Sequence, residues 1–183
     1  MSEELLVRHC SPTLAGIKAS SLFSCDYDTP EQLRKDLRQA NRVLVPKGLR
    51  VLALRCSHGR ALIYVFRPKK IAAILENQEA ADLLRHLGYE DIRVEPCVCQ
   101  LMDRFRVEDE FPHEVGLFLG YPPEDVVGFI QNHAKGQKCT GCWKVYGDEA
   151  KAKKCFAQYK KCTQVYYDLW EDGRSLERLT VAS

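Results

Sequence analysis

The fold is decided by residues 50–67, which read RVLALRCSHGRALIYVFR. Two apolar runs, 50–56 and 61–67, are separated by the polar stretch 57–60. Apolar runs of this length, joined by a short turn that contains glycine, are typical of a β-hairpin. Gly59 can supply the positive φ that a tight turn needs. Because residues 51–54 are all apolar, we expect the first strand to be covered on both faces.

Upstream of the hairpin, the sequence predicts one short strand and one helix. The strand is predicted over residues 19–24, after a segment interrupted by Pro12 and Gly16, to which no helix is assigned. Thr29 is a suitable N-cap for the helix, and Pro30 suits its first turn. Leucines then recur at helical spacing until a glycine ends the helix.

Downstream of the hairpin, the sequence predicts mostly helices. Prolines, an asparagine and an aspartate mark helix starts, and glycines mark several ends. The predicted helices cover about 68–75, 77–87, 97–106, 112–119 and 122–133, followed by a loop over 134–142 and a long helix capped by Asp148. A short edge strand is predicted over 92–94. The apolar stripe of the long helix consists of Ala152, Cys155, Phe156, Tyr159, Cys162, Tyr166 and Leu169.

This order of elements predicts an α+β fold. Its core is a small antiparallel sheet built on the central hairpin and packed by several helices, with a mostly helical C-terminal half. The 183 residues fit one domain over 1–183, with a sheet-containing half over about 1–95 and a helical half over 96–183.

Composition and charge limit the classes of function. Hydrophobic residues make up 45% of the chain, which argues against disorder. The net charge is only +2, so no polyanionic partner is required and nucleic-acid binding is not expected. No apolar run is long enough for a transmembrane helix. Because the acidic N-terminus lacks the features of a signal peptide, we expect a cytoplasmic protein.

Nine cysteines are expected to be free thiols, since the cytoplasm is reducing and their number is odd. Cys139 and Cys142 form a CxxC motif, which can bind a metal or cycle as a dithiol. Together with Cys97 and Cys99, they could form a four-thiolate zinc or iron–sulfur site. The less demanding alternative is that all four are ordinary thiols, because residues two apart diverge on the helix predicted for 97–106.

Two histidine motifs could carry chemistry. His9 stands beside Cys10, and such a pair can support a thiolate nucleophile or a metal or haem ligand. His113 and Glu114 follow a proline at a predicted helix start, where a neutral imidazole can act as a ligand or a general base. The alternatives are that the first pair diverges and that the second merely caps a helix.

Residues 135–161 contain eight lysines. Trp143 and Tyr146 lie among them, and Lys144 stands between these two aromatic residues. The cluster predicts either an ordinary solvated face or a dock for an acidic partner or a phosphate-bearing ligand.

Several long strings resemble one family. They are HCSPTLAGIK at 9–18, FPHEVGLFLGYPPEDVVGFI at 111–130, GCWKVYGD at 141–148 and KCT at 161–163. Together they resemble an uncharacterised family from clostridia and related anaerobes, catalogued as domain of unknown function 3793. In that family's pattern, positions such as Cys139 and Cys142 are often not cysteine. The resemblance therefore lowers the weight of the CxxC motif and raises that of His9, Cys10, His113 and Trp143.

The resemblance implies an anaerobic cytoplasm and a setting beside flavodoxins and iron-uptake proteins. The leading hypothesis is a binding or accessory protein of anaerobic redox or iron metabolism. Its pocket would be lined by His9, Cys10, His113 and Trp143, with Lys144 and Tyr146 nearby. The ligand would be a metal, haem or flavin, or the lysine face would dock an acidic redox protein such as a flavodoxin.

Two alternatives stay open. One is an enzyme that uses Cys10 as a nucleophile, with His113 as base and Glu114 as orienting residue. The other is a thiol-rich structural adaptor without a site. A shared cleft for these side chains would favour a site, and their separation would remove its basis.

Overall fold

The computed structural model describes residues 1–107 and 111–182. Its centre is a three-stranded antiparallel sheet formed by β1 (Ser20–Asp26), β2 (Arg50–Ser57) and β3 (Arg60–Phe66), in the order β1–β3–β2. The predicted hairpin is therefore confirmed. His58 and Gly59 form its turn with φ values of 50° and 74°, as a type I′ turn requires.

Helices account for most of the remaining described chain. They are α1 (Glu3–Leu14), α2 (Pro30–Leu44), α3 (Pro68–Leu75), α4 (Gln78–His86), α5 (Val94–Val107), α6 (Val115–Phe118), α7 (Pro123–Gln131), α8 (Glu149–Glu171) and α9 (Leu176–Leu179). A short 3₁₀ helix follows α2 over Val45–Lys47, and a small second ladder pairs β4 (Cys139–Thr140) with β5 (Lys144–Val145). The α+β prediction, with a mostly helical C-terminal half, is thus confirmed.

The sheet is covered on both faces, as residues 51–54 predicted. Ala61, Ile63 and Val65 alternate with Tyr64 and Phe66 along β3, so the two sets point to opposite faces. The first set packs in a core with α1, α2 and α9, and the second packs in a core with α3 to α7. Each face thus supports a different group of helices.

Helix α1 is not predicted from the sequence, because Pro12 indicates an interruption there. Ser2 caps this helix by accepting a hydrogen bond from the Leu5 amide at 3.3 Å. Leu6, Cys10 and Leu14 recur at helical spacing and are buried, so the apolar pattern outweighs one proline near the end of the helix.

The chain after α1 is held by a buried arginine. Arg67 donates hydrogen bonds to the carbonyl oxygens of Thr13 at 2.7 Å and Leu14 at 2.8 Å, and to that of Val181 at 2.7 Å. A cation at these carbonyls suits the negative end of the helix dipole. Gly16 then reverses the chain with a φ of 75°. This turn leads directly to Lys18 and β1.

Three other predictions were wrong in part. Residues 92–94 form no strand, because Val94 already begins α5. The helix predicted from Pro112 is only the short α6, preceded by a turn at His113 and Glu114. The predicted loop over 134–142 contains β4, which needs its long-range pairing with β5 to be a strand.

The long helix α8 begins after its cap Asp148, as predicted, and runs beside α1. Ala152 is its one buried residue, whereas the other members of the predicted apolar stripe are half-buried. Half-burial follows from its position against α1, where part of the interface is an open cleft. None of the helices in the described chain is long and apolar enough to cross a membrane.

Candidate ligand-binding sites

An apolar cavity of about 310 Å³ lies between α6, α7 and the β4–β5 hairpin. We call it the aromatic cavity. It is lined by the rings of Phe111, His113, Tyr121, Phe129 and Trp143, among other residues. The Tyr121 and Trp143 rings stack at 4.8 Å between centroids, and His113 meets Phe129 edge-on at 5.0 Å. The cavity therefore presents flat apolar surfaces from several directions.

A buried carboxylate, Asp125, builds one wall of the aromatic cavity. Its Oδ2 accepts a hydrogen bond from the Trp143 indole N–H at 2.7 Å. Its Oδ1 accepts hydrogen bonds from the backbone amides of Tyr146 and Gly147, both at 2.7 Å. Asp125 lies in the first turn of α7, so these bonds fix the hairpin and the indole to that helix.

A glycine allows the hairpin to approach α8. A Cβ atom built on Gly141 would collide with the Phe156 ring, so no side chain fits there. The Phe156 ring in turn meets Trp143 edge-on at 4.5 Å between centroids. The CxxC spacing around Gly141 thus reflects a close backbone approach, for which glycine is required.

Lys144 lines the aromatic cavity, and its ammonium group is anchored to the backbone. Its Nζ donates a hydrogen bond to the Ala134 carbonyl at 2.7 Å and lies 5.9 Å from the Phe129 ring centroid. Tyr146 is absent from the lining of the cavity, since its ring packs against Gly128 of α7. Of the two residues that flank Val145, only Lys144 lines the cavity.

Glu114 is not placed to orient His113. The carboxylate is buried, accepts a hydrogen bond from the Tyr89 hydroxyl at 3.0 Å and pairs with Arg104 Nε at 3.0 Å. Burial, together with the Glu114 charge, raises the pKa of Tyr89 well above its ordinary value. Glu114 therefore has a structural ion pair, and the base–orienter arrangement expected from the sequence is not formed.

A second depression, of about 590 Å³, lies between α1 and α8. We call it the cationic cleft. Arg8, His9, Lys18 and Lys160 line it together with the rings of Phe156, Tyr159 and Tyr167. His9 also stacks on Phe23, with 4.9 Å between centroids. Burial, with the neighbouring Arg8 charge as a smaller cause, lowers the pKa of His9.

Cys10 is fully buried beneath the cationic cleft. It belongs to the core formed by α1 and α2 and is absent from the lining of either site. Burial raises the pKa of its thiol to about 12, despite a hydrogen bond with Ser21 and the nearby Lys18 charge. A buried thiol that stays protonated is a poor nucleophile and a poor ligand.

The four side chains expected to share one pocket are therefore divided. His113 and Trp143 line the aromatic cavity, His9 lines the cationic cleft and Cys10 lies in the core. The reason is that α1 and the 111–130 segment pack on different faces of the sheet. The proposed catalytic group of Cys10, His113 and Glu114 does not converge.

The thiols are also dispersed. All nine cysteines are free, and Cys97 donates a weak hydrogen bond to the Asp91 carbonyl at 3.2 Å from inside the core. Cys99 is exposed on the same helix, α5, while Cys139 and Cys142 lie at the β4–β5 hairpin. Within residues 1–107 and 111–182, no three His, Cys, Asp or Glu side chains are placed to hold a metal ion.

Sequence reasoning missed the most informative cation, Lys18, and its neighbours on α8. Tyr159, Thr163 and Tyr167 recur every four residues and line the cleft, although Tyr159 had been assigned to an apolar stripe. Recognition of α1 would have placed Arg8 and Pro12 on one helix face. That face of α1, together with a polar stripe on α8, is the sequence signal that could have predicted the cleft.

This chain is an α+β protein with two open pockets. Its antiparallel sheet lies between two groups of helices, and an aromatic cavity lies beside a cationic cleft. Within that class, the chain belongs to the family described as protein of unknown function DUF3793, whose model matches residues 6–180. No curated protein and no solved structure matches the chain.

Proposed function

We propose that this chain is a cytoplasmic binding protein that holds a small ring-containing molecule in the aromatic cavity, as an accessory protein of anaerobic redox metabolism. One observation supports this most: aromatic rings form the walls, while Asp125 and Lys144 are engaged by internal hydrogen bonds. An apolar pocket with few convergent polar groups is the usual form of a small-molecule site.

A flavin ring fits this chemistry better than haem or a metal ion. The volume of about 310 Å³ is at the lower end of ligand pockets, which favours part of one planar ring system over a haem macrocycle. Both Asp125 oxygens already accept hydrogen bonds, so His113 would have little help in binding a metal. Packing against the aromatic walls of the cavity requires only a flat π face.

The test uses riboflavin, which carries no phosphate, and the chain's two tryptophans. Trp170 lies outside the aromatic cavity, so Trp170→Phe leaves Trp143 as the reporter. Saturable quenching of Trp143 fluorescence by riboflavin is expected. Phe129→Ala should weaken that binding at least about tenfold, because it removes one ring of the cavity. Absence of saturation, or the same affinity in Phe129→Ala, would show that the cavity does not hold a flavin.

Docking of an acidic redox protein such as a flavodoxin is a second candidate. Lys151 and Lys154 are exposed near the start of α8, and neither side chain has a carboxylate partner among the described residues. Lys144, by contrast, anchors the hairpin and is unsuited to docking. Adding a flavodoxin should then give a complex that dissociates as salt rises and that Lys151→Glu with Lys154→Glu abolishes. A salt-insensitive complex, or none, would exclude this docking face.

A further inference from the structure

We propose that the cationic cleft between α1 and α8 binds a phosphate-bearing small molecule, with its phosphate held by Lys18. This site is separate from the aromatic cavity and does not depend on the function proposed for that cavity.

Lys18 is a cation without an anion. Within residues 1–107 and 111–182, its ammonium group has no hydrogen-bond acceptor and no carboxylate partner. It lies instead 5.6 Å from the Tyr121 ring centroid and 5.8 Å from that of Tyr159. Burial lowers the pKa of Lys18, so holding the charge there costs free energy. An anion in the cleft would offset that cost.

The charged side chains around Lys18 have the same sign. Lys160 and Arg8 line the cleft with Lys18, and the lowered pKa of His9 favours its neutral imidazole. No aspartate or glutamate is found among the described lining residues of the cleft. Arg8 is partly neutralised by Glu4, which it contacts at 3.1 Å outside the cleft. The remaining cations suit a phosphate, with nearly two negative charges, better than a singly charged carboxylate.

The cleft also has room and contacts for the organic part of such a ligand. Phe156, Tyr159 and Tyr167 provide aromatic surface beside the cations, and the volume of about 590 Å³ lies within the ordinary range for small-molecule sites. Gln164 and the tyrosine hydroxyls add hydrogen-bonding groups. An ionic end and a flat apolar end can therefore both be accommodated.

Lys18 is positioned by the fold before any ligand arrives. The Pro12 carbonyl accepts hydrogen bonds from the amides of Ile17 and Lys18, both at 3.0 Å. Arg67 holds the two carbonyls that follow Pro12 in α1. A cation presented by a fixed turn loses little conformational freedom on binding.

The experiment is a titration with inorganic phosphate at constant ionic strength, followed by amide chemical shifts. Shifts should be confined to the end of α1, the turn before β1 and the facing part of α8. Lys18→Met keeps the stem of the side chain and removes the charge, so phosphate affinity should fall at least about tenfold. Lys69→Met, at an exposed position of α3, is the matched control and should bind phosphate like the wild type.

Thermal unfolding separates a lost site from a damaged fold. Free Lys18→Met should be at least as stable as the wild type, because it removes a half-buried, uncompensated charge. Phosphate should raise the melting temperature of the wild type but not of Lys18→Met. Equal phosphate affinity in both proteins, or shifts spread evenly over the exposed lysines of α8, would overturn the proposal.

Discussion

The aromatic cavity and the cationic cleft meet at one wall, yet they differ in whether their polar side chains have partners within the protein. In the cavity, Asp125 and Lys144 are satisfied by hydrogen bonds from or to the protein itself. In the cleft, Lys18 and Lys160 have no carboxylate partner in the described chain. Because these polar groups are already engaged, the cavity offers a ligand mainly apolar surface. Cations without a carboxylate partner would favour an anion in the cleft, as proposed above.

Two contacts join the sites across this wall. Phe156 of the cleft meets Trp143 of the cavity, and Lys18 of the cleft lies over the Tyr121 ring of the cavity. The comparison thus predicts that some changes affect one site alone and that others affect both.

The largest expected effect concerns the thiol beneath the cleft. Cys10 should react with iodoacetamide at pH 8 at least about a hundredfold more slowly than exposed Cys56 or Cys99, because it is buried and its thiol pKa is about 12. Peptide mass spectrometry after timed alkylation measures the rates. In urea, all three cysteines should react alike. Comparable rates in the folded protein would mean that Cys10 is accessible and would revive the nucleophile hypothesis.

Asp125→Ala should disrupt the wall of the aromatic cavity and leave the structure of the cationic cleft unchanged. It leaves the indole N–H and two backbone amides without their acceptor, and each unsatisfied buried donor costs about 1–3 kcal/mol. We therefore expect a loss of about 3 kcal/mol or more in the free energy of unfolding, measured by urea denaturation.

The matched variant is Asp125→Asn, which retains a side-chain oxygen for the two backbone amides. Asp125→Asn should lose less free energy of unfolding than Asp125→Ala. Its main effect should be a change in Trp143 fluorescence. The phosphate response of the cleft should persist in both variants while they remain folded. If Asp125→Ala abolished that response in folded protein, the two sites would not be separable.

Gly141→Ala has the smallest expected cost but should affect both sites, because the added methyl group collides with Phe156 in the shared wall. Overpacking of this kind costs about 1–3 kcal/mol. Combining it with Phe156→Leu, which removes the ring, should recover part of the loss in a double-mutant cycle. Strict additivity of the two changes would show that this contact does not form the wall.

Much of the fold could be predicted from local patterns. The 50–67 stretch predicted the hairpin and its turn, and caps such as Thr29, Asn77 and Asp148 predicted helix starts that the structure confirms. These signals operate within a few residues of chain. Elements whose stability depends on distant partners were predicted less well. Strand β4 forms only by pairing with β5. Helix α1 tolerates Pro12 because its buried residues stabilise it.

The candidate residues show the same limit. His113, Trp143 and Lys144 were named from the sequence and do meet in the aromatic cavity. His9 and Cys10 are neighbours in the chain, but helical geometry sends one to the cleft and the other into the core. The sequence does not single out Lys18, because one lysine after a glycine turn forms no distinctive local pattern.

The sequence by itself determined the α+β class, the central hairpin and the principal helix starts, because these depend on local periodicity and capping residues. It also determined the family resemblance, which rests on long sequence strings. Only the tertiary structure decided that α1 packs along α8 and that Asp125 ties the hairpin to α7. It also decided that Lys18 faces a cleft with no aspartate or glutamate among its described lining residues. The physical reason is that burial and charge compensation depend on neighbours far away in the chain, which no local pattern specifies.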